Sequence, residues 1–388
     1  MASRVDRSAF SEWLWTVDHL MLAGFVTLML GGVVLSFAGS PPLAERIGLE
    51  PYFFVKRQAI YLVPALAVML GASMLSPRMV RRAALVIFGL CLVALVLVLF
   101  TGVEVKGARR WIDILGFSIQ PSEFIKPAFV ILIAFLLSEA GKRPEVPGRL
   151  FSILLFVMVA ALFVAQPDFG QTMLLLMVWG ALFFMAGLSW VWIGVLGLLG
   201  VASLGSAYML LPHVTARINR FLDPASGDTY QVDTALEAIV QGGWLGRGPG
   251  EGTVKRILPD SHTDFIFAVA AEEFGIILCI VLLAIFAFVV LRGLTHARRE
   301  PDPFVRLATA GLMVMFGIQS AINMAVNLNM MPAKGMTLPF ISYGGSSMLA
   351  VALAMGFVLA LTRKRPRPSR TAPVIVRRVA RTPVDPVK

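Results

Sequence analysis

Apolar runs near the roughly 20 residues that cross a bilayer recur along most of the chain. They lie at about 19–38, 52–75, 81–101, 124–140, 150–166, 170–187, 189–211, 264–292, 304–329 and 342–362. Such a pattern predicts an all-α polytopic membrane protein of about ten transmembrane helices. Only "GLSW" separates the sixth run from the seventh, which makes this the weakest division. Asp18 and His19 precede the first run, and "SFAGSPP" after it reads as a loop, so no signal peptide is expected.

The polar connections set the orientation. With the N-terminus inside, Arg4 and Arg7, then Arg78, Arg81 and Arg82, then Lys142, Arg143 and Arg149 face the cytoplasm. Arg292, Arg298, Arg299, Arg306 and the basic residues from Arg363 onward fall on the same side. That bias predicts an N-in, C-in protein with an even number of spans. The chain then divides into a cytoplasmic segment 1–18, a membrane domain 19–362 and a cytoplasmic tail 363–388. The longest connection, about 212–263 between spans seven and eight, lies outside, as does a shorter one at about 102–123. The tail is rich in Pro and Arg without apolar periodicity, so it is expected to be disordered beside an anionic leaflet.

Composition agrees. Apolar residues make up 57% of the chain and charged ones 15%, against about 45–50% and about 25% in soluble domains. Much of the net charge of +11 sits in the tail, which points to a membrane surface and not to nucleic acid. Cys91 and Cys279 both fall inside apolar runs, so neither a disulfide nor a thiolate metal site is expected. The four histidines lack ligand spacing.

Charge carried into apolar runs costs a few kcal/mol per residue by insertion scales, which makes each instance a candidate for function. "LPDSHTDFIFAVAAEEFG", residues 258–275, is the clearest case. Ser261-x-x-Asp264 has the form of a capping box before a helix, and a carboxylate so held at an outer mouth also suits charge stabilisation. Glu272 and Glu273 lie deeper and differ by about 100° around a helix, so at least one is expected to bond inside the bundle. Lys106, Arg109 and Arg110 place positive charge on the outer face beside Trp111, which suits a diphosphate or an anionic headgroup. Glu123 and Lys126, in "QPSEFIK", are spaced for an ion pair on one helix face. Asp168, in "QPDFGQT", reads as the N-cap of span six. In "MPAKGMTLPFISYGGSS", Gly344, Gly345, Ser346 and Ser347 suit close helix packing, and Ser342 stands just ahead of them.

Six ordered stretches also resemble one family, the SEDS proteins (shape, elongation, division and sporulation). They are "GVEVKGARRWI", "QPSEFIK", "QPDFGQT", "YQ" with "GGWLGRGPGEG", "LPDSHTDFIFAVAAEEFG" and "PAKGMTLPFISYGGSS". The opening Gly-Val-Glu-Val and the Ala-Lys-Gly-x-Thr-Leu-Pro form are similar to the division branch. The resemblance implies a ten-span SEDS fold, GT-C-like, and a peptidoglycan glycosyltransferase. That enzyme would polymerise lipid II into β-1,4 strands on the outer face of the bacterial cytoplasmic membrane, at the division septum. It implies Asp264 as the catalytic carboxylate. For substrate binding it implies Trp111, Glu123 and Lys126, to which Lys106, Arg109, Arg110, Asp168 and Ser342 are added as candidates. The implied partners are lipid II, undecaprenyl-linked glycan, a class B penicillin-binding protein and other division proteins of the membrane. One departure is visible: Asp260 stands where the family commonly has Glu.

The chemistry is compatible with these residues. An acceptor hydroxyl attacking an anomeric carbon needs a base, and a leaving diphosphate needs cations more than an acid. Asp264 as base implies inversion, and a divalent cation (Mg or Mn) held by Asp264 or Glu123 would add positive charge. Two other functions remain open at this level: a lipid II flippase with charges lining a path, and a scaffold that recruits division proteins.

Overall fold

The computed structural model describes residues 9–105, 108–114, 117–187, 190–210, 212–223, 229–332 and 335–364. A short helix, α1 (Ala9–Thr16), precedes α2 (His19–Arg46), α3 (Phe53–Ser73) and α4 (Pro77–Thr101). Then come α5 (Pro121–Lys142), α6 (Gly148–Ala165), α7 (Phe169–Met185) and α8 (Trp190–Leu210). Two outer helices, α9 (Pro212–Leu222) and α10 (Tyr230–Gly242), lead to α11 (Ile266–Arg299), α12 (Pro303–Asn327) and α13 (Gly345–Thr362). Among the described residues eight helices are long and apolar enough to cross a membrane, and α7 is a shorter apolar helix. With α7 and α8 the ten predicted runs each have a helix. The sixth and seventh are separate: α7 ends before Gly187, at φ +82°, and α8 starts at Trp190.

α12, α13 and most of α5 are buried, while α3, α4, α6 and the long part of α11 turn large apolar side chains outward. Leu85, Val86, Leu90 and Val93 of α4 are all exposed, as a lipid-facing helix requires. Close approach explains the small residues of span ten. A Cβ on Gly345 would sit 2.6 Å from the Tyr61 ring, and one on Gly356 would sit 2.7 Å from the Met69 carbonyl oxygen.

Both ends of the described chain meet at one face. The Lys364 N–H donates to the Thr16 carbonyl at 3.1 Å, and the Arg363 Nε donates to the Thr16 hydroxyl at 2.9 Å. Trp13 on α1 donates to Ser73 at 2.7 Å. Asp18 caps α2 through the Met21 N–H and pairs with Arg292 and His296 at 2.9 and 2.7 Å. An even number of crossings follows, with the basic helix ends on this side. The tail beyond residue 364, expected to be disordered, lies outside the described residues.

The opposite face is more structured than the sequence suggested. The 102–123 connection is a three-stranded antiparallel meander, β1 (Val103–Val105), β2 (Ala108–Ile114) and β3 (Phe117–Ile119), with Val103 opposite Trp111 and Asp113 opposite Ser118. α11 is really two helices. Gly275 has φ 79° and ψ 176°, a conformation open mainly to glycine, and it divides a nine-residue outer piece from the membrane span. The Gly-rich 243–250 loop closes the broken end. Arg247 N–H and Gly248 N–H donate to the Glu272 and Glu273 carbonyls at 2.9 and 3.0 Å. A Cβ on Gly246 would sit 2.1 Å from the Glu273 carbonyl oxygen, so this contact needs glycine.

Candidate functional site

A cavity of about 930 Å³ opens on that face. In an N-in bundle every second helix starts on the outside, so α3, α5, α7, α11 and α13 all begin there. Phe54, Glu123, Asp168, Asp264 and Gly344 line the cavity at or near those five starts. Helix N-termini carry partial positive charge and unpaired N–H groups, so the architecture itself favours an anionic occupant.

Asp264 lies on the wall of this cavity. The expected Ser261-x-x-Asp264 capping box is corrected by the structure. α11 starts at Ile266 without a side-chain cap from Phe265, and the Ser261 hydroxyl instead reaches the Gly39 carbonyl at 3.5 Å. The cap comes from another helix. Asn327 Oδ1 accepts from the Ala268 N–H at 3.1 Å. The amides of Asn323 and Asn327 both donate to the Asp264 carbonyl at 2.9 Å, and Asn323 also donates to the Met336 carbonyl at 2.6 Å. Gly335, at φ +64°, passes beside the carboxylate: its added Cβ would meet Asp264 Oδ2 at 3.6 Å. The backbone of Asp264 is therefore pinned while its side chain faces the cavity. Asp260 adopts φ +52°, and aspartate tolerates that left-handed conformation better than most residues.

Glu123, Lys126 and Gln171 form a closed triangle. Lys126 Nζ donates to Glu123 Oε2 at 2.9 Å and to Gln171 Oε1 at 2.8 Å, and Gln171 Nε2 donates to Glu123 Oε1 at 2.8 Å. All three are at most 5% exposed. Glu123 and Gln171 show an edge to the cavity and Lys126 is not among its lining residues. The expected ion pair is present, and Lys126 meets Glu123 and Gln171 from behind the cavity wall. Asp168 caps α7 as expected, accepting from the Gln171 N–H at 3.4 Å. Burial pushes its carboxyl above the usual range, against the pull of Arg110.

The outer cationic cluster is divided. Arg110 lines the cavity, donating to the Gln166 carbonyl at 3.0 Å and to the Pro167 carbonyl, with Asp168 at 3.8 Å. Arg109 is its neighbour on β2, where the pairing with β1 shifts register and leaves Arg110 without an opposite partner; Arg109 pairs with Glu104 at 3.6 Å and is not a lining residue. Trp111 lines the cavity, and Lys106 lies outside the described residues. Ser342 is buried beneath the loop instead of lining it: its hydroxyl donates to the Thr263 carbonyl at 2.6 Å and accepts from the Leu338 N–H at 2.8 Å.

Glu272 and Glu273 both find partners. Glu272 accepts from the N–H groups of Val254 and Lys255 at 2.7 and 2.8 Å, and Glu273 accepts from Gly250 N–H at 3.1 Å and from the Lys255 ammonium. They differ in direction, yet the outer loop wraps far enough to meet both.

Sequence reading missed two groups. Gln319, Asn323 and Asn327 repeat every four residues along α12 and are all buried, a polar ladder inside an apolar span. Arg57, Arg217 and Arg220 add three guanidiniums to the lining; the last two share a face of α9 with Phe221. Among the described residues the lining holds four guanidiniums and six carboxylates, so position, and not net charge, gives the cavity its character.

Comparison with known proteins agrees with this reading. The family model for the FtsW, RodA and SpoVE cell cycle proteins matches residues 18–367. A probable peptidoglycan glycosyltransferase FtsW of Caulobacter vibrioides is 50% identical over 365 residues, covering 94% of each chain. That of Methylococcus capsulatus is 34% identical, covering 88% of this chain and 89% of that one. Among solved structures, a chain from a peptidoglycan synthase complex that coordinates polymerization and crosslinking matches with a TM-score of 0.72 at 29% identity, over 89% of this chain and 97% of that one. The rod shape determining protein RodA of Thermus thermophilus matches with a TM-score of 0.66 at 26% identity, over 90% and 98%. The motifs, the ten-helix membrane fold and these matches agree, and the chain belongs to the FtsW/RodA/SpoVE family of cell cycle proteins.

Proposed function

We propose that this protein is a peptidoglycan glycosyltransferase that polymerises lipid II into β-1,4 glycan strands on the outer face of the bacterial cytoplasmic membrane, at the division septum. The observation that carries the reading is the placement of Asp264: a carboxylate on the wall of a large outer cavity, its backbone held by two buried asparagines. The relatives from Caulobacter vibrioides and Methylococcus capsulatus are named probable peptidoglycan glycosyltransferases, which supports the reading.

The reaction joins two lipid-linked sugars. The acceptor hydroxyl oxygen bonds to the donor's anomeric carbon as the bond to the diphosphate breaks. The hydroxyl proton passes to Asp264 and then to water, and the lipid diphosphate leaves as an anion. Attack opposite the leaving group inverts an α-linked donor to a β product. Arg110 and the helix N-termini offset the charge that develops on the diphosphate. Holding the two sugars together supplies much of the remaining acceleration.

Among the described residues no three His, Cys, Asp or Glu side chains could together hold a metal ion, and both oxygens of Glu123 are already bonded to Lys126 and Gln171. Asp264 remains as a ligand, and a Mg²⁺ or Mn²⁺ ion held by one carboxylate and substrate phosphates is a common arrangement. Such an ion would supply further positive charge to the diphosphate.

Headgroup translocation is the weaker reading. Glu272 and Glu273, the carboxylates placed deepest by the sequence, are bonded to the outer loop at residues 250–255, which removes them from any inward path. The synthase complex among the structural neighbours couples polymerization to crosslinking, which supports a crosslinking class B penicillin-binding protein as partner. Purified protein supplied with lipid II and that partner should form glycan polymer, and Asp264→Asn should abolish it. Polymer formation surviving in the variant would overturn the assignment, and headgroup translocation without polymer would favour a flippase.

A further inference from the structure

The cavity lining separates its cations into two places. Arg57 lies on α3 beside Tyr343, to which its side chain is bonded. The other three converge elsewhere: Arg110 from β2, and Arg217 and Arg220 from α9. Arg217 lies within electrostatic reach of Arg110, Asp168 and Arg220. Arg110 is fixed by the 166–168 turn, its hydrogen bonds running to the Gln166 and Pro167 carbonyls and its one acidic neighbour, Asp168, standing at 3.8 Å.

Among the described residues no hydrogen bond ties Arg217 or Arg220 in this way. Among the described residues neither has a carboxylate within ion-pair distance, whereas Arg109, Arg292 and Arg363 each do. Both side chains are exposed to the open cavity; partial desolvation and the Arg110 guanidinium lower the Arg217 pKa, and Asp168 raises it. Arg110 and Arg217 thus both face Asp168, with Arg220 adding a third positive charge beside them. Like charges gathered this way repel unless an anion joins them, and planar guanidinium forks match phosphate oxygens in pairs. α9 supports the same reading by its spacing. Arg217, Arg220 and Phe221 stand at i, i+3 and i+4, on one helix face, and all three line the cavity. A face that offers two cations and one aromatic ring suits an amphiphile with a phosphorylated head.

We propose that Arg217 and Arg220 of α9, together with Arg110, form a diphosphate-binding wall that holds the head of a lipid-linked sugar within the same cavity as Asp264. The site rests on the glycosyltransferase reading for its substrate class, but it makes a separate claim about binding. Arg109, the neighbour of Arg110 in sequence, takes no part. The wall combines one anchored guanidinium with two on an amphipathic outer helix, so its closure on the ligand depends on the seating of α9 against the cavity.

The test is a binding measurement on Asp264→Asn protein, which cannot turn substrate over. The probes are undecaprenyl diphosphate, undecaprenyl monophosphate and phosphatidylglycerol, each titrated in detergent and read by native mass spectrometry. Arg217→Gln with Arg220→Gln is expected to raise Kd for the diphosphate at least tenfold. The shift should be smaller for the monophosphate and absent for phosphatidylglycerol. Arg217→Lys with Arg220→Lys, which keeps the charge and loses the fork, should fall between. An unchanged diphosphate Kd in the double glutamine variant overturns the proposal. An equal loss for phosphatidylglycerol does so too, because the wall would then be a general headgroup site. If the glutamine variant does not fold, the lysine variant carries the same test. Polymer formation by the unmodified protein is measured alongside: its failure would count against the enzyme reading, whereas an unchanged diphosphate Kd counts only against this site.

Discussion

Removing Lys126 should destabilise the protein far more than removing a substrate contact would. The Lys126 ammonium sits 2% exposed between Glu123 Oε2 and Gln171 Oε1. Lys126→Met keeps the length of the side chain but leaves the Glu123 carboxylate, itself 4% exposed, with the Gln171 amide as its remaining partner in the triangle. Breaking a buried ion pair by deleting one member costs about 3–5 kcal/mol, two or more decades in an equilibrium constant. The geometry also indicates the repair. With Glu123→Gln added, two amides face each other across the former triangle, and the introduced amide and that of Gln171 can each donate to the other. The uncompensated charge is gone, and two neutral hydrogen bonds of about 1 kcal/mol each replace it. The double variant should therefore recover about 2–4 kcal/mol over Lys126→Met alone. Equilibrium unfolding in mixed micelles of rising SDS fraction, followed by tryptophan fluorescence, measures this coupling directly. A double variant no more stable than the single one would refute the triangle as the reason for Lys126. A stable single variant with a raised KM would mean that the ammonium serves the substrate directly.

Asn327→Leu removes the cap on Ala268 and one of the two amides on the Asp264 carbonyl, and a displacement of about 1 Å at a reacting group costs on the order of 10²-fold in rate. Polymerisation kinetics should show kcat falling by that order with KM little changed, and a variant of normal kcat would separate Asn327 from the site. Chelation with EDTA should slow polymerisation by the unmodified protein and Mg²⁺ should restore it; a rate indifferent to chelator would remove the ion from the mechanism. Neither treatment should rescue Asp264→Asn.

The ten spans were legible because a bilayer leaves little freedom: a crossing helix needs about 20 apolar residues, and basic loops stay inside. The outer face was less legible because there the chain folds by contacts distant in sequence. The meander that carries Arg109 and Arg110 has its trace in the alternations Val-Glu-Val, Ile-Asp-Ile and Phe-Ser-Ile of residues 103–105, 112–114 and 117–119. Each is only three residues long. The ladder Gln319, Asn323, Asn327 was a stronger signal, since three amides at spacing four inside an apolar helix must find partners. What no local pattern could supply was the identity of those partners, the Thr337 carbonyl for Gln319 and the Asp264 carbonyl for the asparagines.

The same limit applies to the charges. An apolar chain carries every ionisable residue at a cost, so sequence marks Glu123, Lys126, Asp264, Glu272 and Glu273 alike as candidates. The structure divides them by where their charge is spent. Glu272 and Glu273 hold the Gly-rich loop against the broken end of α11, and Glu123 and Lys126 offset each other. These four stabilise the frame. That frame supports Asp264 at several points: the loop braces the outer piece of α11, whose first turn follows directly from residue 264, and α12 fixes its carbonyl. A carboxylate on a mobile loop would have to be ordered again in each turnover. Here the ordering is already built in: Asp264 lines the cavity from a backbone held by the Asn323 and Asn327 amides.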